Sequence, residues 1–253
     1  MHEGFVPTSL GRVHYVRGGS GHPLLLLHSN GNSIHEWSDV WDDLAASFDV
    51  IALDQPSQGD SDGPHRHIVI DEYTDAFIEV MDALEVGTAA VAGTSIGGIF
   101  VVSLGARYAD RFSHVVAVET MFRSDAEWAE NWDMVDGLFG IATQDRATVT
   151  ARFNTVTDEF LRRWNIDRNK AGSKSMMSTM WAIREYDLEK WAPQIGVPAM
   201  LLYGAKGPTI ATREPFEAAV PSCEVVVLHN SGHFPMNDEP GAFAAALRDF
   251  CLP

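Results

Sequence analysis

Apolar positions fall along this chain in short runs bounded by polar turns. Arg12-Val13-His14-Tyr15-Val16 alternates with period 2 and predicts a strand. Pro23-Leu24-Leu25-Leu26-Leu27 and Val50-Ile51-Ala52-Leu53 are continuous apolar runs, the pattern of parallel strands buried on both faces. The period then changes: Tyr73, Phe77, Val80, Met81 and Leu84 share one face of a helix over 71–84. Ala89-Ala90-Val91-Ala92 predicts a strand, Ile99 to Tyr108 a helix, and His114-Val115-Val116-Ala117-Val118 another strand. Late in the chain Ala199–Tyr203 and Val225–Leu228 predict further central strands, with a last helix from about Pro240 to Phe250. Strands alternating with helices predict an α/β fold, a mostly parallel sheet with helices on both faces.

The middle breaks this alternation. Residues 121–187 contain no convincing strand and read as helices joined by polar turns. We therefore expect a core formed by residues 1–120 and 188–253, with 121–187 as a helical lid inserted before the late strands. That segment holds four of the seven tryptophans, Trp128, Trp132, Trp164 and Trp181. Each of them could simply pack the lid onto the core. Gathered over a cleft with Phe234, they would suit a bulky apolar or aromatic ligand.

Composition narrows the partners. The chain has 253 residues, 45% hydrophobic, enough for one sizeable core, and a formal net charge of −17. Nucleic acid and anionic membrane are poor partners for so acidic a surface, and a small molecule is the expected one. Cys223 and Cys251 have neither metal-ligand spacing nor the numbers for a disulfide framework. His65 and His67 flank Arg66 in a polar loop and are not expected to hold a metal. The N-terminus lacks a basic and an apolar region of signal type, and no apolar run approaches the roughly 20 residues of a membrane span. The expected location is cytoplasmic; the oligomeric state is not legible.

The strongest chemical signal is Val91-Ala92-Gly93-Thr94-Ser95-Ile96-Gly97-Gly98, a Gly-x-Ser-x-Gly between a strand and a helix. Small residues there allow a tight turn that lifts Ser95 Oγ above the sheet edge, beside the free N–H groups of a helix start. A serine hydroxyl needs a base. The best candidate is His233, in Ser231-Gly232-His233-Phe234-Pro235, a loop after the last strand that can reach the same edge. Acyl transfer also needs oxyanion donors. The N–H of Ile96 follows the nucleophile, and the loop His28-Ser29-Asn30-Gly31-Asn32 offers that of Asn30. His28 then braces this loop.

These motifs, together with Asp54-Gln55-Pro56-Ser57-Gln58-Gly59-Asp60-Ser61, occur in the chain order of the α/β-hydrolase family, which the sequence resembles over nearly its whole length outside the lid. Three departures stand out. Ser29 stands where the family commonly has glycine, and Ser57 also takes a usual glycine position. The third concerns the triad acid, which most members carry as Gly-x-x-Asp after the late strand. Here that stretch reads Gly204-Ala205-Lys206-Gly207-Pro208-Thr209, and no carboxylate appears before Glu214. Glu119, ending the strand after the nucleophile strand, is either a surface residue or the displaced acid. A serine, a glutamate at this place and a histidine resemble the zearalenone lactone hydrolases. More distant resemblances are to enol-lactonases and to cofactor-free quinolone dioxygenases. The resemblance implies a serine hydrolase with Ser95, His233 and Glu119 as triad. Its expected substrate is a lactone of aromatic or macrocyclic type, and no cofactor or metal is needed. The alternatives are a cofactor-free dioxygenase of an N-heteroaromatic compound and a small-molecule receptor that kept the triad.

Overall fold

A computed structural model of the protein describes residues 1–220 and 222–252. Eight strands form one sheet: β1 (His2–Thr8), β2 (Gly11–Gly19), β3 (His22–Leu27), β4 (Phe48–Leu53), β5 (Ala89–Thr94), β6 (Phe112–Val118), β7 (Ala199–Gly204) and β8 (Glu224–Leu228). Their order across the sheet is β1-β2-β4-β3-β5-β6-β7-β8. β1 and β2 run antiparallel to their neighbours, and the rest are parallel. This is the α/β-hydrolase fold.

The leucine run of β3 shows why the sheet lies at the centre. Leu24 and Leu26 face one apolar cluster, with Val50, Ala52 and Ala90, while Leu25 and Leu27 face the other, with Ile51, Leu53 and Val91. All four leucines are at most 1% exposed, and each contributes about 1.5–3 kcal/mol relative to leaving it in water. The register brings the strand ends level: Leu27 opposes both Leu53 and Gly93, Thr94 opposes Val118, and Val118 opposes Leu202. The loops after β3, β5, β6, β7 and β8 therefore emerge at one edge of the sheet, where open α/β sheets carry their sites.

Two elements differ from expectation. β1 was not signalled, because among its side chains only Val6 is buried and no apolar run marks it. β8 is the edge strand, not a central one, and Val225 is 36% exposed. Val226 and Leu228 pack on one apolar cluster and Val227 on the other, but only partly, because the strand ends the sheet.

Between β6 and β7 the chain forms helices Asp125–Glu130, Trp132–Phe139, Arg146–Thr150 and Asp158–Glu185. Polar caps set their starts: Ser124 forms a capping box with Glu127, Asp145 accepts from Thr148 N, and Thr157 accepts from Phe160 N. The long helix is interrupted at Gly172, whose φ of 73° and ψ of 153° a side chain would resist. The tryptophans of this segment do not form one cluster. Trp128 packs in the apolar cluster on one face of the sheet, and Trp164 in the cluster on the other. Trp132 lies against Trp181, ring centroids 4.4 Å apart, and Trp181 is 42% exposed. Amphipathic helices distribute their aromatics over whichever surface each one covers, which spacing alone does not reveal. Among the described residues no helix is long and apolar enough to cross a membrane.

Candidate active site

Ser95 stands between β5 and the helix Ile96–Arg107 with φ 57° and ψ −110°, a conformation costly for any residue with a Cβ. The neighbours that permit it are glycines. A Cβ at Gly93 would collide with the carbonyl of Gly97, and a Cβ at Gly97 with that of Leu27. Ser95 N–H still donates to Val118 O at 2.8 Å, so the turn remains tied to β6 while the side chain stands partly exposed at the helix start.

Glu119 follows β6, fully buried, with φ 47°. Its Oε1 accepts from Gly204 N–H at 2.6 Å. Its Oε2 accepts from Thr209 Oγ1 at 2.7 Å and lies 3.1 Å from His233 Nδ1. The carboxylate occupies the end of β7, where the expected aspartate is missing, and a Cβ at Gly207 would collide with it. A carboxylate can only accept, so Nδ1 carries the imidazole hydrogen and Nε2 keeps its lone pair. His233 is 8% exposed. Among the described residues no hydrogen bond joins Ser95 Oγ to His233; such contacts commonly tighten only with substrate bound. Glu214 and Asp238 do not reach the imidazole. Asp238 holds the histidine loop instead, accepting from Gly232 N–H and Asn154 N–H, each at 2.8 Å. Glu239 accepts from Asn230 N–H and Ser231 Oγ, also at 2.8 Å. Thr209 and Glu239 were not singled out from the sequence: the Thr209 bond spans 90 residues, and the Glu239 bonds, eight and nine residues in span, form only once the histidine loop is folded.

The loop after β3 is buried and heavily braced. His28 accepts from Gln55 N–H through Nε2 at 3.0 Å and so donates through Nδ1 to Ser29 O at 2.7 Å. Burial pushes its pKa down, consistent with a neutral bracing ring. Fixing Ser29 C=O fixes the opposite end of the same peptide unit, the N–H of Asn30. Gly31, at φ 79°, donates to Gln58 Oε1 at 2.5 Å. Neither Asn30 N–H nor Ile96 N–H donates to an acceptor among the described residues. The Asn30 side chain reaches the long helix of the insertion, donating to Met176 O at 3.0 Å. Ser57, where glycine is usual, adopts φ 68°, and Gly63 leaves room for its side chain.

Phe234 is 1% exposed and is spent on packing: it stacks on Phe153 at 4.2 Å and meets Trp164 edge-on at 5.6 Å. It is not an open ligand surface, because Phe153 and Trp164 pack over it. Trp164 is the one tryptophan of the four that packs on the histidine loop; its Nε1 donates to Gln144 Oε1 at 3.0 Å. Trp181 lines a groove of about 730 Å³ beside Arg66, Tyr73, Lys174 and Met177, a groove whose walls do not include Ser95 or His233.

Of the other histidines, His67 bridges Ser178 and Glu185 at 2.9 and 3.0 Å, using both ring nitrogens. Among the described residues one set of possible metal ligands comes together, His14, Asp54 and Asp60, within 4.8 Å of one another. Asp54, its central member, is already engaged. Asp54 Oδ2 meets His14 Nδ1 and accepts from Asp60 N–H, both at 2.8 Å, and Oδ1 accepts from Ile34 N–H at 2.8 Å.

The fold and this edge of the sheet define a hydrolase-type architecture, and comparison with known proteins agrees. A profile described as "Alpha/beta hydrolase family" matches residues 24–246, and the chain belongs to that family. It is 24% identical to a pimeloyl-[acyl-carrier protein] methyl ester esterase of Vibrio vulnificus, over 94% of this chain and 97% of the relative. Among solved structures it is similar to the enol-lactonase from Burkholderia xenovorans LB400, with TM-score 0.81 and 24% identity over 98% of this chain and 99% of the other. A thermophilic esterase from Thermogutta terrifontis aligns with TM-score 0.84 and 19% identity, over 98% and 97%.

Proposed function

We propose that this protein hydrolyses a carboxylic ester through an acyl-enzyme on Ser95, and that its substrate is a lactone of aromatic or macrocyclic type. The observation that carries the reading is the His233 Nδ1–Glu119 Oε2 contact of 3.1 Å at the sheet edge that bears the Ser95 elbow. His233 Nε2 takes the Ser95 proton as Oγ attacks the carbonyl. Glu119 holds the ring and favours the imidazolium that forms. The N–H groups of Asn30 and Ile96 receive the oxyanion. The imidazolium returns its proton to the leaving alkoxide, and water repeats the sequence to release the acid. In a lactone the alkoxide and the acyl group belong to one molecule, so the product is a single hydroxy acid. Residues 121–187 act as a lid over this edge, with Trp164 and Phe234 securing it to the histidine loop; Trp128, Trp132 and Trp181 set its shape.

The names of the enol-lactonase and of the two esterases support ester chemistry in this fold. The test is a panel of aryl esters and lactones, with a fluorophosphonate probe and peptide mapping of the adduct. Wild-type protein should carry the adduct on Ser95, and Ser95→Ala should lose at least about 10³-fold in kcat while melting normally. An unlabelled Ser95, or a Ser95→Ala protein within tenfold of wild type, would sink the acyl-enzyme. Oxygen consumption on a quinolone that survives in Ser95→Ala would favour the dioxygenase.

A further inference from the structure

Glu36 lies in the short helical turn Ile34–Trp37 and is 3% exposed, although nothing in the proposed reaction uses a second buried acid. Its Oε2 accepts three hydrogen bonds: from Ser29 N–H at 3.0 Å, Ser29 Oγ at 2.6 Å and Asn32 Nδ2 at 2.7 Å. Its Oε1 is buried without a partner, as is Thr94 Oγ1, the hydroxyl immediately before the nucleophile. Thr94 lies near enough to act on the carboxyl.

We propose that Glu36 is a positioning residue for the oxyanion loop: one carboxyl holds Ser29 and Asn32, on either side of Asn30. The inference deepens the acyl-enzyme reading and rests on Asn30 N–H being an oxyanion donor. An oxyanion donor works only if it is held in place before charge develops.

A buried acid is a demanding way to hold a loop, since its charged form is poorly solvated. Burial pushes the Glu36 carboxyl up to about 7 against the pull of Ser29, Thr94 and Asn32. The charged or titratable groups around it do not bond it. They are His35 and Asp39 from its own turn and beyond, and Glu159, Arg163 and Asp167 from the long helix. His35 approaches Asp167 instead, at 3.7 Å. Because the folded pKa lies above the ordinary carboxyl value, Glu36 supports folding fully below that ordinary value. This support is lost as pH rises through about 7. An amide in its place has no such titration, keeps an acceptor for Ser29 and Asn32, and can offer its NH2 to Thr94 Oγ1.

The experiment compares Glu36→Ala, Glu36→Gln, Ser29→Ala and Ser95→Ala, with 4-nitrophenyl acetate as probe at pH 6 and melting curves from pH 5 to 8.5. Glu36→Ala should lower kcat at least about tenfold with KM within about threefold, the mark of a loss felt in the transition state. Glu36→Gln should keep kcat within about threefold of wild type and lose less melting temperature than wild type between pH 6 and 8. Ser29→Ala, which keeps the carboxyl and removes its 2.6 Å donor, should lower kcat about three- to tenfold; it decides the matter if Glu36→Ala does not fold. A dead Ser95→Ala beside Glu36→Ala or Ser29→Ala at wild-type kcat overturns this inference alone. Turnover surviving in Ser95→Ala overturns the acyl-enzyme and this inference with it.

Discussion

The carboxylate of Glu119 fills the space that a side chain at Gly207 would need. The two positions are complementary: the loop after β7 gives up both an acid and its bulk, and β6 supplies an acid that reaches across. Gly204 N–H, at the end of β7, and Thr209 Oγ1, from that loop, then hold the carboxylate that replaces its own. Gly207 is therefore required for space, and Gly207→Ala is a sensitive probe of the arrangement. A methyl group there must displace buried Glu119, so kcat should fall at least about 10²-fold, with about 1–3 kcal/mol of stability lost to overpacking. Steady-state kinetics and urea unfolding of the variant measure both. Wild-type turnover in Gly207→Ala would show that Glu119 need not stay where it is.

Glu119→Gln tests the charge rather than the space. The two oxygens accept from Gly204 N–H and Thr209 Oγ1 and meet His233 Nδ1. An amide NH2 must face one of these donors, leaving buried groups unpaired at about 1–3 kcal/mol. It can also favour the histidine tautomer that places the hydrogen on Nε2, facing the nucleophile. A comparable amide change in a serine protease lowers kcat about 10⁴-fold. We expect a loss of at least about 10²-fold in kcat for the folded variant, read from initial rates beside a melting curve. Undiminished turnover would remove Glu119 from the triad.

How much of this was legible differs by the range of the interaction. Gly93, Ser95 and Gly97 lie within one turn, and their steric logic is local, so the elbow could be read from the residues in order. The parallel core was legible because Leu24–Leu27 and Val50–Leu53 are apolar on both faces. β1 was not, since only Val6 of its side chains is buried and its pairing with β2 supplies the rest. The place of Glu119 was suggested by an absence at Gly207, and His233 as its partner by the triad, but its other partners could not be. Thr209 lies 90 residues away in the chain. Glu36 and Asp238 carried no motif, and their hydrogen bonds exist only once the loops are folded. The tryptophans misled because composition counts them without saying which surface each one covers.

Thr209→Val isolates one of those long-range bonds. Valine keeps the shape and removes the hydroxyl that donates to Glu119 Oε2 at 2.7 Å. Thr209 is fully buried, so no water replaces the lost donor. We expect about 1–2 kcal/mol of stability lost and kcat lowered about threefold to thirtyfold, with Glu119 less firmly held against His233. Denaturant unfolding and kinetics at one pH measure this. A variant as stable and as fast as wild type would mean that Gly204 N–H alone suffices.

Stability should also fall with rising pH because of a pair remote from Ser95. His14 Nδ1 lies 2.8 Å from Asp54 Oδ2 and His14 Nε2 lies 3.0 Å from Glu3 Oε1. The hydrogen bond to Asp54 raises the His14 pKa above its ordinary 6.5, against the opposing effect of burial. For Asp54, burial acts to raise the pKa, but the bonds from His14, Asp60 N–H and Ile34 N–H leave it below its ordinary 3.8. The signs follow from linkage. His14 stabilises the fold fully below its ordinary value, and this contribution is lost as pH rises through the higher folded value. Asp54 stabilises above its ordinary value and loses this as pH falls through the lower one. The pair contributes most between the two. His14→Gln should therefore be less stable than its parent at pH 6, with the gap narrowing by pH 9. Glu36 titrates in the same direction, so the comparison belongs in a Glu36→Gln background, where its slope is absent. Urea unfolding at half-unit steps from pH 5 to 9 measures the gap, and a gap that stays constant across that range would mean that His14 does not gain a proton on folding.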